Sequence, residues 1–249
     1  MTEHKINKWE EELEAEASLM AAALPSAATE FFSIKNATLF YKGQAVPNNK
    51  MEVVILDFLR ENQYYRGVYD PNAYAPPVCY AYGNDDKTMV PHPASPEPQS
   101  SSCATCPHNQ FGSAGKGKAC KNILWLGMTP VAALESPDRV ADAEVAKLKL
   151  SPTNVKYFGT YGQQVAAVLK RPAFGVVTEV SVHPDPKTQY RIAFKTIEVI
   201  ADGSTIEALM TKRKTVVLTT EHTANAVAQP AAAADTPNPA SRFGRSPKM

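Results

Sequence analysis

Met51-Glu52-Val53-Val54-Ile55-Leu56-Asp57-Phe58-Leu59 carries the strongest strand signal in the chain. It is dense in β-branched and large apolar residues and has no glycine or proline, which suits a buried strand. Arg60-Glu61-Asn62-Gln63-Tyr64-Tyr65-Arg66 extends it as a strand end or hairpin arm. Upstream, Ala37-Thr38-Leu39-Phe40-Tyr41 reads as a short strand, joined through a polar turn at Gly43 and Pro47-Asn48-Asn49. Downstream come a turn at Tyr69-Asp70-Pro71-Asn72 and a strand through Pro76-Pro77-Val78-Cys79-Tyr80-Ala81-Tyr82-Gly83. Further strands are expected at 123–128, 147–150, 174–182 and 189–200, with His183-Pro184-Asp185-Pro186 turning between the last two.

Ser151 and Pro152 form a helix start, and Val155, Phe158, Tyr161, Val165, Val168 and Leu169 recur at helical spacing. Residues 137–146 read as loop. A closing helix over 205–226 is opposed by the run Val216-Val217-Leu218-Thr219-Thr220. Six or more strands with one or two packing helices make an α+β, β-dominated domain.

Composition sets the outer bounds. A chain of 249 residues with 44% hydrophobic and 20% charged content is ordinary for a soluble globular protein. No apolar run approaches a membrane span, and the acidic start does not resemble a secretory signal, so a cytoplasmic location is expected. Residues 1–30 hold two lysines against seven glutamates, and residues 221–249 are net +1. With a total of +1, the stretch between them carries +5, a mild bias compatible with phosphate contacts. The chain divides into an acidic helix and linker over 1–30, a folded body over 31–226 and an Ala/Pro-rich tail over 227–249. The helix spans 2–23, with Leu13, Leu19 and Met20 as docking residues. The tail has too little apolar bulk to offset ordering entropy.

All four cysteines fall between Cys79 and Cys120, spaced C-x23-C-x2-C-x13-C. Proline and glycine punctuate residues 84–119, and a structureless stretch of that length needs an internal constraint. Four thiolates around one zinc would supply it, as a closed structural site: Cys79, Cys103, Cys106 and Cys120, with His92 or His108 able to replace one of them. A redox role is disfavoured, since Cys103 does not open a helix after a strand. Gly112-Ser113-Ala114-Gly115-Lys116-Gly117-Lys118-Ala119 nearly matches a phosphate-binding loop, but Ala119 stands where a hydroxyl must ligate Mg²⁺. The run is more useful as local charge: no acid lies between Glu97 and Glu135, while Lys116, Lys118 and Lys121 do.

Six of the ten tyrosines cluster at Tyr64, Tyr65, Tyr69, Tyr74, Tyr80 and Tyr82, among Arg60 and Arg66. Exposed aromatics in a basic groove are how single-strand binders stack bases. Candidate contacts are Tyr64, Tyr65, Arg66, Tyr80, Tyr82, Lys116, Lys118 and Lys121, with Lys212-Arg213-Lys214 as a second basic group. No catalytic constellation is present, and no enzyme activity is expected.

Val53-Val54-Ile55-Leu56-Asp57, Tyr64-Tyr65, Tyr69-Asp70-Pro71, Pro76-Pro77-Val78-Cys79-Tyr80-Ala81, Cys103-Ala104-Thr105-Cys106-Pro107 and Gly115-Lys116-Gly117-Lys118-Ala119-Cys120-Lys121-Asn122 follow in that order, with Pro172-Ala173-Phe174-Gly175-Val176-Val177-Thr178 beyond. The series, over about residues 31–200, resembles a group of tailed-bacteriophage single-stranded DNA-binding proteins. The resemblance implies an OB-like barrel with an inserted zinc-binding loop subdomain at about 79–122. It implies sequence-independent binding of single-stranded DNA in replication or recombination, in the host cytoplasm, with phage replication proteins as partners. The chain departs from that group in its basic C-terminus, which ends Arg242-Phe243-Gly244-Arg245-Ser246-Pro247-Lys248 where an acidic tail is usual. Rival readings are a zinc-ribbon module docking a host protein, including a transcription-regulating one, and a metal-dependent nuclease.

Overall fold

The computed structural model describes residues 31–67 and 75–222, together with Leu13, Glu16 and Leu19. Most of the expected N-terminal helix and its linker, the turn at 69–72, Tyr69, Tyr74 and the 227–249 tail lie outside the described residues. Leu13 and Leu19 are helical but 59% and 71% exposed, so the docking expected of them is not made.

The body is a mixed α+β structure built on one strongly curled, nine-stranded half-barrel sheet. In chain order the strands are β1 (Phe31–Lys35), β2 (Thr38–Tyr41), β3 (Gln44–Ala45), β4 (Lys50–Tyr64), β5 (Cys79–Tyr82), β6 (Lys121–Pro130), β7 (Ala146–Leu150), β8 (Val176–Asp185) and β9 (Gln189–Val199). Their spatial order is β3-β2-β1-β7-β6-β4-β8-β9, with β5 also on β4. Among the described residues only β1 and β7 pair in parallel.

The run quoted first is the centre of this sheet. β4 is 15 residues long and pairs with β6 along one edge. Its other edge is shared, with residues 50–53 against β8 and residues 61–64 against β5. Of the two readings of residues 60–66, the strand end holds through Tyr64, and Tyr65 and Arg66 lie beyond it. Bulges interrupt β4 between Ile55 and Asp57 and the β8–β9 ladder between Val177 and Thr178. An extra residue in one strand bends it and increases its twist, which is how this sheet curls.

Strand alternation sorts the core. Val53 and Ile55 face a cluster with Leu124, Leu126, Leu148 and Ile192, closed by Phe158 and Tyr161 of helix α2 (Pro152–Gln164). Val54 and Leu56 face the other way, under helix α1 (Pro137–Asp142) and helix α3 (Gly203–Arg213). A strand covered on both faces needs the continuous apolar run that residues 53–56 provide.

Several expectations are corrected. Residues 137–142 form α1 instead of loop, because the Ser136 hydroxyl accepts the Arg139 N–H at 3.2 Å and Pro137 opens the turn. The closing helix stops at Arg213. Asp202 caps its start, accepting the Thr205 N–H at 2.7 Å, and the β-branched residues after Lys214 do not continue it. The β8–β9 ladder runs through Pro184 and Asp185, and the chain turns after them, where Asp185 accepts the Lys187 and Thr188 N–H groups at 2.8 and 2.9 Å. No described helix is long and apolar enough to cross a membrane.

Candidate nucleic-acid interface and cysteine centre

The C-terminal end of β4 gathers the site. Cys79 pairs with Tyr64 on one edge, and Lys121, next to Cys120, pairs with Gln63 on the other. One strand end thereby draws together two cysteines that are 41 positions apart in the chain. Residues 84–119 hold no strand and only a single 3-10 turn at Pro107–Asn109, yet they are tied down throughout. His92 N donates to Tyr80 O at 2.7 Å, Glu97 N to Val78 O at 2.7 Å, Cys103 N to Met89 O at 3.0 Å and Cys120 N to His108 O at 2.8 Å.

Cys79, Cys103, Cys106 and Cys120 are all buried, form no disulfide, and line one small cavity of about 20 Å³. That is room for a single small ion or water. Burial pushes the Cys120 thiol up to about 12, with the three other cysteines adding to the shift. Cys103 is pushed up in the same way, again by burial first. Among the described residues, however, no three His, Cys, Asp or Glu side chains stand in metal-ligating positions. The donor set surrounds the cavity without being drawn in around it.

The expected DNA contacts divide by strand alternation. Cross-strand partners share a face, so Tyr64, Asn62, Cys79 and Ala81 lie on one side and Gln63, Glu61, Tyr80 and Tyr82 on the other. Tyr64 is half-buried and its ring stacks on His108 at 4.2 Å. Lys118 is committed to the same side, donating to Asn122 Oδ1 at 2.9 Å and Asn109 Oδ1 at 3.3 Å. Asn122 in turn donates to Asn109 Oδ1 at 2.9 Å.

Tyr80 is 7% exposed, with its ring stacked on His92 at 5.0 Å. Tyr82 is half-buried and donates its hydroxyl to Thr220 O at 2.5 Å. Tyr80 therefore offers no free ring face of the kind expected of a base platform, while Tyr82 is tied by its hydroxyl to the C-terminal segment. Tyr65, Arg66, Lys116 and Lys121 are exposed; Arg66 pairs with Glu97, and the Tyr65 hydroxyl donates to Gln63 Oε1 at 3.0 Å. Two members of the basic triplet are engaged within the fold. Lys212 donates to Ala141 O at 2.7 Å, and Arg213 pairs with Asp57 at 3.2 Å while lying over Phe174. The phosphate-loop look-alike leads from a tight turn into β6, not into a helix.

Two features escaped the sequence reading. The first is a buried polar cluster around Glu61, which is 0% exposed. Glu61 accepts the Trp125 indole N–H at 2.6 Å and pairs with His222, whose ring lies 4.6 Å from that of Tyr80. Lys149 lies nearby, over the Trp125 ring, and burial holds its ammonium below the usual lysine range while Glu61 works against that shift. The second is Phe111, which is 79% exposed in the loop between Cys106 and Cys120. Its one sequence signal was an aromatic next to glycine with no apolar neighbours. Comparison with family models, curated proteins and solved structures finds no match to this chain.

Proposed function

We propose that this chain binds single-stranded DNA without sequence preference, in phage replication or recombination, with the curled sheet as an OB-like body and zinc as a structural ion. What supports this most is that Tyr65 and Lys121 are exposed at the end of β4 and Lys116 is exposed in the cysteine loop, with Arg66 exposed beside them and paired to Glu97. Aromatic faces stack on bases and the cations contact phosphates, neither of which reads sequence. Cys79, Cys103, Cys106 and Cys120 would hold the zinc. Its chemistry there is to replace four separate thiols with one cross-link, leaving no open position for catalysis. Lys118, Tyr80 and Tyr82 act as scaffold in this reading, since their polar groups or rings are engaged within the fold.

Fluorescence anisotropy with labelled oligo-dT tests it. Binding is expected at low salt, weaker for duplex of equal length, with log affinity falling linearly as log salt rises. No binding at low salt, or equal affinity for duplex, overturns the proposal.

A further inference from the structure

Phe111 is more exposed, at 79%, than any other large apolar side chain among the described residues. Its position is braced on both sides. The Gln110 side chain donates to Ala104 O at 2.9 Å and Cys106 O at 3.1 Å. Gly112 N and Ala114 N both donate to Gly117 O, at 3.0 and 3.1 Å. Ser113 Oγ donates to Gln110 O at 2.7 Å and accepts the Ala119 N–H at 2.9 Å. Gly112 (φ +95) and Gly115 (φ +67) take left-handed conformations that side chains disfavour, so the tight turn depends on them. The loop thus presents a ring to solvent from a fixed frame, and ordering it costs little on binding.

The charge of the segment that carries the ring points to its partner. Residues 98–134 contain no acid, and their charged side chains are Lys116, Lys118 and Lys121. An apolar ring in an all-positive loop fits a partner that is flat, aromatic and anionic on its backbone. We propose that Phe111 is a base-stacking residue for single-stranded nucleic acid, with Lys116 beside it taking the adjoining phosphate. This rests on the binding function proposed above and adds a contact residue to that site. The His108–Tyr64 stack ties the base of the same loop to β4.

The full-length chain, Phe111→Ala and Phe111→Trp are compared on labelled oligo-dT and on an abasic strand of equal length. Phe111→Ala is expected to weaken oligo-dT binding about tenfold, with its salt slope unchanged. It should not alter binding to the abasic strand. Phe111→Trp should restore affinity, and its added emission should be quenched by oligo-dT. Lys116→Ala should instead reduce the salt slope by about one. Equal binding by wild type and Phe111→Ala, equal loss on both strands, or an unquenched Phe111→Trp overturns the stacking role and leaves the parent function standing. Failure of the wild type to bind any single strand overturns both. Capture of an apolar protein by wild type and not by Phe111→Ala, with oligo-dT affinity equal in the two, assigns the ring to a protein partner and overturns the proposal.

Discussion

Tyr82 shows how one side chain reports the closure of a whole face. Burial pushes its phenol up to about 12, and the negative charge of Glu61 adds to the shift. Its hydroxyl donates to Thr220 O, 138 residues away in sequence, so ionising it would strand a charge beneath the C-terminal segment. The folded-state value lies above the unfolded value of about 10. The stabilisation it reflects is therefore complete below about pH 10 and is lost as pH rises from 10 towards 12. Urea midpoints across that window should fall more steeply for the wild type than for Tyr82→Phe, which has no proton to lose. Parallel curves would show that the phenol is solvated in the folded protein. Glu61 has a wider role, because Trp125 and His222 both bond to it and it opposes the burial penalty on Lys149. A buried carboxylate persists only when it is so surrounded.

At the scale of elements, the segment after α3 behaves as a strap. Val216 and Leu218 pack beside Ile123 and Trp125, Lys147 Nζ reaches Thr219 O at 3.4 Å, and His222 ends on Glu61. Gly127 on β6 makes room for it, since a Cβ there would lie 2.9 Å from Val216 Cγ1 and 3.0 Å from Leu218 Cδ2. Gly127→Ala should lift the strap, lowering stability by about 1–3 kcal/mol as overpacking does. Trypsin should then cut faster after Arg213 or Lys214 than in the wild type. Unchanged cleavage would mean that the strap is not seated on Gly127. The same segment explains why the closing helix, expected to start at 205, stops at Arg213. Its β-branched residues gain more by lying extended over Trp125 than by propagating a turn that restricts them.

For the whole molecule, the cysteine loop closes one end of the sheet where β5, β4 and β6 meet. The zinc proposed there would link Cys79 at the start of β5 to Cys120 at the start of β6 through the intervening loop. Purified protein should carry one zinc per chain by metal analysis, and Cys106→Ser should carry less. Removing the metal with a strong chelator should lower the melting temperature by about 5 °C or more, because an ion bound only to the folded state stabilises it by mass action. A protein that melts identically with and without chelator, and contains no zinc, would leave the four thiols as ordinary core.

Local patterns determined much of this protein from sequence alone. The β4 run, the start of α2 at Ser151 and Pro152, the alternation of residues 176–182 and the irregular course of residues 84–119 all depend on neighbours within a few positions. Propensity, turn chemistry and periodicity act at that range, so these were legible. The grouping of the cysteines was legible too, because they share one segment. Tertiary structure decided which side chains reach solvent. Tyr64 differs from Tyr80 and Tyr82 not in type but in what covers each face: His108 on one side, His92 and the strap on the other. Lys118 reads as a phosphate contact until Asn109 and Asn122 bind it. Glu61 and His222, 161 residues apart, meet only because the chain end returns across β4. Burial is settled by long-range pairing and by whatever packs over each face of a strand, and no local pattern encodes that.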